Sequence, residues 1–173
     1  MYSARACHSN ANGRAHSTGK SNARDPGSPP TSRQNLFELE TPQCLNKAME
    51  RIIFISLAAV AGTLGRYWLA GVIGRRYGEH FPLGTLVVNA LGCLLAGFLF
   101  YLLHERYETG ETARAVAFVG LLGAFTTFSA YELQTFTLLR DGEFGLAALN
   151  VTISNLLGLL MVWGGYMLAK AVA

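Results

Sequence analysis

The chain has 173 residues, of which 51% are hydrophobic and only 14% are charged, and its net charge at neutral pH is +3. Its three cysteines form no CxxC pair and its four histidines have no ligand spacing, so neither a disulfide framework nor a side-chain metal site is predicted. The sequence also has no catalytic triad, phosphate loop or nucleic-acid module, and we therefore expect neither an enzyme nor a nucleic-acid-binding protein.

The first 48 residues differ sharply from the remainder of the chain. They are rich in Ser, Asn, Arg, Gly and Pro and have almost no apolar run, so we predict a disordered N-terminal extension. The missing apolar core excludes a secretory signal, which leaves a transit peptide or sequence upstream of a translation start at Met49. We favour the second interpretation because Met49 leads directly into the first apolar segment, which makes residues 49–173 the working domain.

Four apolar segments follow Met49, and each is near or above the roughly 20 residues that a helix needs to cross a bilayer. Short charged connections separate them, so consecutive helices must run antiparallel. Four helices are too few to enclose a pore comfortably, and we expect an oligomer. The sequence therefore predicts an all-α membrane protein with transmembrane helices at about residues 52–74, 82–103, 115–139 and 144–169.

Basic residues are almost evenly distributed between the two sides of this predicted bundle. Because Lys and Arg bias sets the orientation of a membrane protein, a chain without bias is expected to insert both ways. Two inverted copies then pair about an axis in the membrane plane. The residues on one side are Arg51, Arg106, Arg114 and Lys170, and those on the other are Arg75, Arg76 and Arg140.

The third apolar segment contains an unusual run, GLLGAFTTFSAY, at residues 120–131. At bilayer depth, backbone leaves helical geometry only where it is buried in protein or lines a wet cavity. A break in this helix would therefore mark an ion or substrate site. The alternative is a continuous helix that uses Gly and Thr for close packing, and the run by itself leaves both interpretations open.

Polar side chains within the apolar segments are costly, and each is a functional hypothesis. Arg66 either snorkels or pairs two helices, or it attracts an anion into a vestibule. Asn89 either bonds a neighbouring helix or donates to a small anion without carrying charge. Asn150 and Ser154 lie four residues apart, so they share one face of the fourth helix, which is expected to line the same path.

Aromatic residues recur at three-residue steps along the unusual run, as Phe125, Phe128 and Tyr131. Such a stripe is typical of plain packing. An aromatic ring also has a positive edge, however, so ring edges that face a narrow path can coordinate an anion weakly.

Three motifs together resemble the Fluc-type fluoride channels, also called the CrcB family: GTLGRY at residues 62–67, GTLVVNALG at 84–92 and GLLGAFTTFS at 120–129. The resemblance covers nearly everything from Met49 onward. It implies a broken third helix, an inverted, dual-topology homodimer in the inner (plasma) membrane, and passive export of cytoplasmic fluoride that lowers fluoride toxicity. It also implies a structural Na⁺ at the dimer interface, held by the backbone carbonyls of Gly123 and Thr126. The expected fluoride-pore residues are Arg66, Asn89, Thr127, Phe128, Ser129, Tyr131, Asn150 and Ser154.

The chain departs from the family pattern at four positions. Tyr131 replaces the usual second phenylalanine, Ala130 replaces a frequent threonine, Asn150 stands where many members have tyrosine, and Gln134 where many have glutamate. The hydroxyl of Tyr131 adds a polar group beside the expected path.

Two other functions remain as alternatives. A small dual-topology multidrug transporter, coupled to protons, would need an acidic residue deep in the first helix, where this chain has Arg66 and no carboxylate. A membrane scaffold without transport would use the glycines for packing alone, and it predicts no ion flux.

Overall fold

The first helix begins before the expected working domain. The computed structural model describes residues 33–78 and 81–173, with side chains from residue 45 onward. The chain divides into two units, Met1–Glu50 and Arg51–Ala173. Positions 1–32 of the expected extension lie outside the described residues, whereas the backbone is helical from Arg33. That the extension is disordered and dispensable stays a prediction.

Four helical spans are long and apolar enough to cross a membrane, which confirms the prediction of an all-helical, multi-pass membrane protein. The first helix, α1, covers Arg33–Tyr77 and thus begins well before the expected start at residue 52. Residues 43–51 are mostly good helix formers and include neither Gly nor Pro, which favours helix directly before residue 52; farther upstream the helix passes through Pro42. The spans are Leu45–Tyr77, Leu83–Arg106, Glu111–Arg140 and Phe144–Val172.

The second and fourth spans are helical without interruption. Helix α2 covers Leu83–Phe100 and continues as a π-helical stretch over Tyr101–Arg106. It begins directly after Pro82, where the missing proline N–H costs nothing. The last helix, α6 in chain order, covers Phe144–Val172.

The third span is composed of several segments. It begins with α3, Glu111–Arg114, continues as a π-helical stretch over Ala115–Leu122 and ends its first half with α4, Gly123–Phe125. Its second half is α5, Phe128–Arg140. Between the halves, Thr126 has φ −84° and ψ 159°, and Thr127 has φ −148° and ψ 110°, so both have extended backbone.

A tight turn makes α5 and α6 antiparallel. Gly142 has a positive φ of 83°. Its N–H donates to the carbonyl of Leu139, while the N–H of Glu143 donates to the carbonyl of Leu138. This pair of bonds is the Schellman arrangement, which satisfies the last carbonyls of α5. The turn therefore places the polar side chains of α6 beside those of α5.

Helix α2 lies at the centre of the bundle and packs most extensively against α6. The contact depends on two glycines, because a Cβ on Gly97 would collide with the carbonyl of Val162, and one on Gly165 with the carbonyl of Leu94. We call this backbone-to-backbone contact the glycine seam. Such close approach is how helices associate in lipid, where burying apolar side chains gives no advantage over acyl chains.

A second close contact joins α1 to the first half of the third span. A Cβ on Gly62 would collide with the carbonyl of Leu121, and one on Gly120 would lie against the backbone of Ile55. The ring of Phe125 lies over Gly65 of α1 and Gly92 of α2. The end of α4 is thus enclosed by two helices, and the extended residues that follow occupy a fixed position.

Candidate ion site

The interruption between α4 and α5 is bridged by the side chain of Asn89. The Thr127 N–H donates to Asn89 Oδ1 at 2.9 Å, and Asn89 Nδ2 donates to the Thr127 carbonyl at 3.1 Å. The Asn89 amide therefore supplies a partner for both the N–H and the carbonyl of Thr127, in place of the backbone bonds of a continuous helix. In an apolar surrounding each unpaired backbone group costs several kcal/mol, so this side chain makes the extended geometry possible.

The same arrangement leaves a backbone carbonyl free of its usual helical donor. In a continuous helix the Thr127 N–H would bond the carbonyl of Gly123, but here it goes to Asn89. Gly123 is exposed, and as a glycine it has no side chain that could shield its carbonyl. The ψ of 159° at Thr126 rotates a second carbonyl, that of Thr126 itself, out of the helical direction. The N–H and hydroxyl of Thr126 both donate to Leu122, at 2.9 and 3.0 Å.

These two carbonyls are the ones that the family resemblance assigns to sodium. Within residues 45–78 and 81–173, no three His, Cys, Asp or Glu side chains cluster, so a cation site in this region would depend on carbonyl and hydroxyl oxygens. Neutral oxygens are the ligands that a hard cation accepts. The donor set of Gly123 and Thr126 therefore fits an alkali cation.

Helix α5 begins at the interruption with a side-chain cap. The Thr127 hydroxyl accepts from the Ala130 N–H at 3.3 Å and lies 3.5 Å from the Ser129 hydroxyl. The first N–H groups of a helix have no partner within the helix and carry a partial positive charge. The start of α5 thus presents hydrogen-bond donors at the level where α4 presents acceptors.

The two aromatic residues of α5 have very different exposure. Phe128 is 75% exposed, whereas Tyr131 is 8% exposed. Their ring centroids lie 5.7 Å apart at an interplanar angle of 46°, so the two rings are in contact and tilted relative to each other. Phe125 is not part of this pair, because its ring packs within the subunit against Gly65 and Gly92. The stripe therefore divides into one packing ring and two rings at the candidate site.

A line of buried hydroxyl and amide groups continues from Tyr131 along α5 and α6. The Thr135 hydroxyl donates to the Tyr131 carbonyl at 2.9 Å and accepts from Asn150 Nδ2 at 2.8 Å. The Ser154 hydroxyl lies 3.5 Å from Asn150 Oδ1. Asn150 is only 1% exposed. Both ends of its amide are therefore occupied within the subunit.

Arg66 lies beside a cleft that leads to the interruption. The cleft has a volume of about 560 Å³ and is lined by Arg66 and Arg75 of α1, Thr85 of α2, and Thr127 and Ala130 at the start of α5. In the part of the chain that the structure describes, neither arginine forms an ion pair. Two positive charges thus face a cavity that ends at the first donors of α5.

The structure brings the expected pore residues together in two groups. Asn89, Thr127 and Ser129 meet at the interruption, with Phe128 adjacent and Arg66 at the cleft. Asn150 and Ser154 lie with Tyr131 along the α5–α6 contact instead.

Sequence reasoning missed two members of the second group, Thr135 and Asn155. Thr135 lies four residues after Tyr131, so its position on the same face was readable from helical spacing. Asn155 lies one residue after Ser154 and therefore on a different face of an ideal helix. Its distance of 3.5 Å from the Tyr131 hydroxyl has no sequence signal.

Comparison with known proteins gives a consistent result. Residues 53–166 match the family described as CrcB-like protein, Camphor Resistance (CrcB). A fluoride-specific ion channel FluC from Opitutus terrae is 44% identical over 123 residues, which are 70% of this chain and 93% of that protein. Proteins of the same description from Desulforapulum autotrophicum and Nitrosococcus oceani are 41% and 39% identical, over 70% and 71% of this chain and 98% of each relative.

Proposed function

The chain belongs to the CrcB family, and we propose on that premise that it is a fluoride-selective ion channel that exports cytoplasmic fluoride passively. Similar proteins are named as fluoride-specific ion channels, and we therefore infer that this chain is a channel and not an enzyme. The observation that carries the proposal is the interrupted third span, bridged by Asn89, whose second half begins at the end of an arginine-lined cleft.

The interruption is suited to an anion on one side and a cation on the other. Half-helices that meet inside a membrane direct N–H groups toward anionic groups and carbonyls toward cations. The start of α5 supplies the donors, with the Ser129 hydroxyl beside them. Arg66 and Arg75 raise the local concentration of anions in the cleft, because a cleft lined by charges of one sign attracts ions of the opposite sign.

Selectivity for fluoride requires that its tightly held water be replaced in steps. We assign this role to the uncharged donors near the interruption and to the ring edges of Phe128 and Tyr131. Asn89 contributes the N–H that is not bonded to Thr127, since its amide has two. Several weak sites allow the ion to leave again, and a narrow path favours the smaller anion.

Asn150 takes a different role from the one that the sequence suggested. Because it is 1% exposed and bonded at both ends, it supports Thr135 and Ser154 rather than facing the ion directly. The Thr135 hydroxyl in turn holds the carbonyl of Tyr131. Asn150 and Ser154 thus belong to the wall that positions the Tyr131 ring.

We further propose that the active form is an inverted homodimer in the inner (plasma) membrane with a structural sodium ion between its subunits. The carbonyls of Gly123 and Thr126 would hold the ion, which when bound supplies positive charge to neutralise the acceptor ends of the two interruptions. The exposed ring of Phe128 is available to a second copy. The balanced basic residues favour insertion in both orientations.

The proposal is tested with purified protein in liposomes loaded with fluoride or chloride. Fluoride efflux through the native chain should greatly exceed chloride efflux, and absence of fluoride flux would refute the proposal. Asn89→Asp should abolish efflux, because the carboxylate cannot donate to the Thr127 carbonyl and its charge repels the anion. Thr152→Val is a matched control, since the Thr152 hydroxyl bonds only within its own helical turn, to the Ala148 carbonyl.

A further inference from the structure

The Tyr131 hydroxyl is approached by a side chain to which the family motifs quoted above assign no role. Asn155 Nδ2 lies 3.5 Å from Tyr131 Oη and 2.7 Å from the carbonyl of Val151. The first contact joins α6 to α5, and the second joins Asn155 to its own helix one turn earlier. The inference drawn from this geometry depends on the proposed function.

The amide of Asn155 is held in one orientation by its bond to Val151. An amide nitrogen carries two hydrogens and no acceptor lone pair, so it donates in both contacts. One hydrogen satisfies the Val151 carbonyl. The other is directed to the phenol oxygen of Tyr131.

A phenol oxygen that accepts from Asn155 must direct its own hydrogen elsewhere. The residue Tyr131 is 8% exposed, and the ring beside it, Phe128, is 75% exposed. We assign the hydroxyl hydrogen to the side of this aromatic pair, where the anion is proposed to pass. Asn155 thus occupies one acceptor position of the oxygen and favours the hydroxyl as a donor to another group.

We propose that Asn155 is a positioning residue that orients the Tyr131 hydroxyl as a hydrogen-bond donor to fluoride, and that this pair contributes to selectivity over chloride. Hydrogen bonds to an ion are stronger than those between neutral groups. The attraction increases as the distance decreases, so the smaller anion gains more from the same donor. The pair would also explain a use for tyrosine at a position where phenylalanine is usual in the family.

A double-mutant cycle tests this proposal. Tyr131→Phe removes only the hydroxyl, and Asn155→Ala removes only the amide that orients it. Tyr131→Phe should lower fluoride efflux by about tenfold, the loss expected for one charge-assisted hydrogen bond. Asn155→Ala should lower efflux by severalfold, because the contact that orients the hydroxyl is at the limit of a hydrogen bond, and both changes should lower the ratio of fluoride to chloride flux. The double variant should be no worse than Tyr131→Phe alone, because Asn155 acts only through the hydroxyl.

The outcomes separate this inference from the proposed function. If the effects of the two substitutions multiply, or if Asn155→Ala leaves the fluoride-to-chloride ratio unchanged, the positioning role is wrong while the channel function stands. If the native protein carries no fluoride flux, both proposals fail. Asn155→Leu, which keeps the side-chain volume, replaces Asn155→Ala if the alanine variant is not recovered folded.

Tyr166→Phe is the matched control for loss of a tyrosine hydroxyl. The Tyr166 hydroxyl donates to Glu105 at 2.9 Å, away from the interruption. Its removal should leave both the efflux rate and the selectivity ratio at the native values. A loss of selectivity in this variant as large as that in Tyr131→Phe would overturn the assignment, because the effect would then not depend on position.

Discussion

Asn89 and Asn150 join the third span to other helices, and they bond to different kinds of partner. Asn89 of α2 pairs with the N–H and carbonyl of Thr127, whose backbone is extended. Asn150 of α6 donates to the hydroxyl of Thr135, which lies in the regular helix α5. The first amide replaces backbone bonds that are missing, whereas the second adds a bond to a backbone that is already satisfied.

This difference predicts which of the two asparagines contributes more to the stability of the fold. A backbone group cannot be removed by substitution, so loss of Asn89 leaves a donor and an acceptor unpaired at membrane depth. A hydroxyl can be removed together with the amide that bonds it, and the helix remains intact. We therefore expect the two sites to respond very differently to apolar substitution.

The largest effect is expected for Asn89→Leu. The substitution keeps the volume but leaves the Thr127 N–H and carbonyl without partners, at about 1–3 kcal/mol for each group or more in hydrocarbon. The free energy of unfolding in detergent should fall by several kcal/mol, and fluoride efflux should be lost. A stable, conducting Asn89→Leu protein would show that the interruption does not need its bridge.

An intermediate effect is expected for Asn150→Leu and for Thr135→Val. Each leaves one buried side-chain partner unpaired, and hydrogen bonds between membrane helices contribute about 0.6 kcal/mol on average and up to about 1.7. The unfolding free energy should fall by that amount, and efflux by severalfold through displacement of Tyr131. A loss as large as that of Asn89→Leu would remove the distinction between the two asparagines.

A smaller effect on stability is expected when both partners of the buried bond are replaced together. The double variant Thr135→Val with Asn150→Leu leaves neither group unpaired, and such paired replacement is close to neutral. The loss of unfolding free energy in this double variant should be smaller than the sum of the losses in the two single variants. Strict additivity would mean that the two side chains are not coupled in the folded protein.

The smallest effect is expected for Ser154→Ala. Its hydroxyl lies 3.5 Å from Asn150 Oδ1, at the limit of a hydrogen bond. Stability should change by less than about 0.5 kcal/mol. Fluoride efflux, measured in the same liposome assay, should remain within about twofold of the native rate. A larger loss of efflux with unchanged stability would place Ser154 on the ion path itself.

The sequence alone predicted the parts of the fold that depend on composition and spacing. Apolar length gave the four spans, and the mixture of Gly, Thr and aromatics at residues 120–131 indicated the region where Thr126 and Thr127 are extended. The early start of α1 was missed because the polarity of the preceding residues, with Pro42 among them, suggested disorder, although residues 43–51 are mostly good helix formers.

The candidate site was predicted less completely, because its contacts depend on tertiary pairing. Asn89 was identified as polar and intramembrane, but its pairing with Thr127 joins residues 38 positions apart. Asn150 and Ser154 were identified by spacing, and the burial of Asn150 could not be read from it. Thr135 and Asn155 escaped because a single Thr or Asn in a helix is common, and only the neighbouring helix gives it a partner.

The glycine seam has a consequence for the spacing between the two asparagines. Sliding α2 along α6 by the rise of one residue, about 1.5 Å, would break the close contacts that Gly97 and Gly165 make with the carbonyls of Val162 and Leu94. The seam therefore opposes axial translation. Asn89 on α2 is thus held at a constant height relative to Asn150 and Asn155 on α6, so thermal sliding of the helices does not change the separation between the interruption and the side chains around Tyr131.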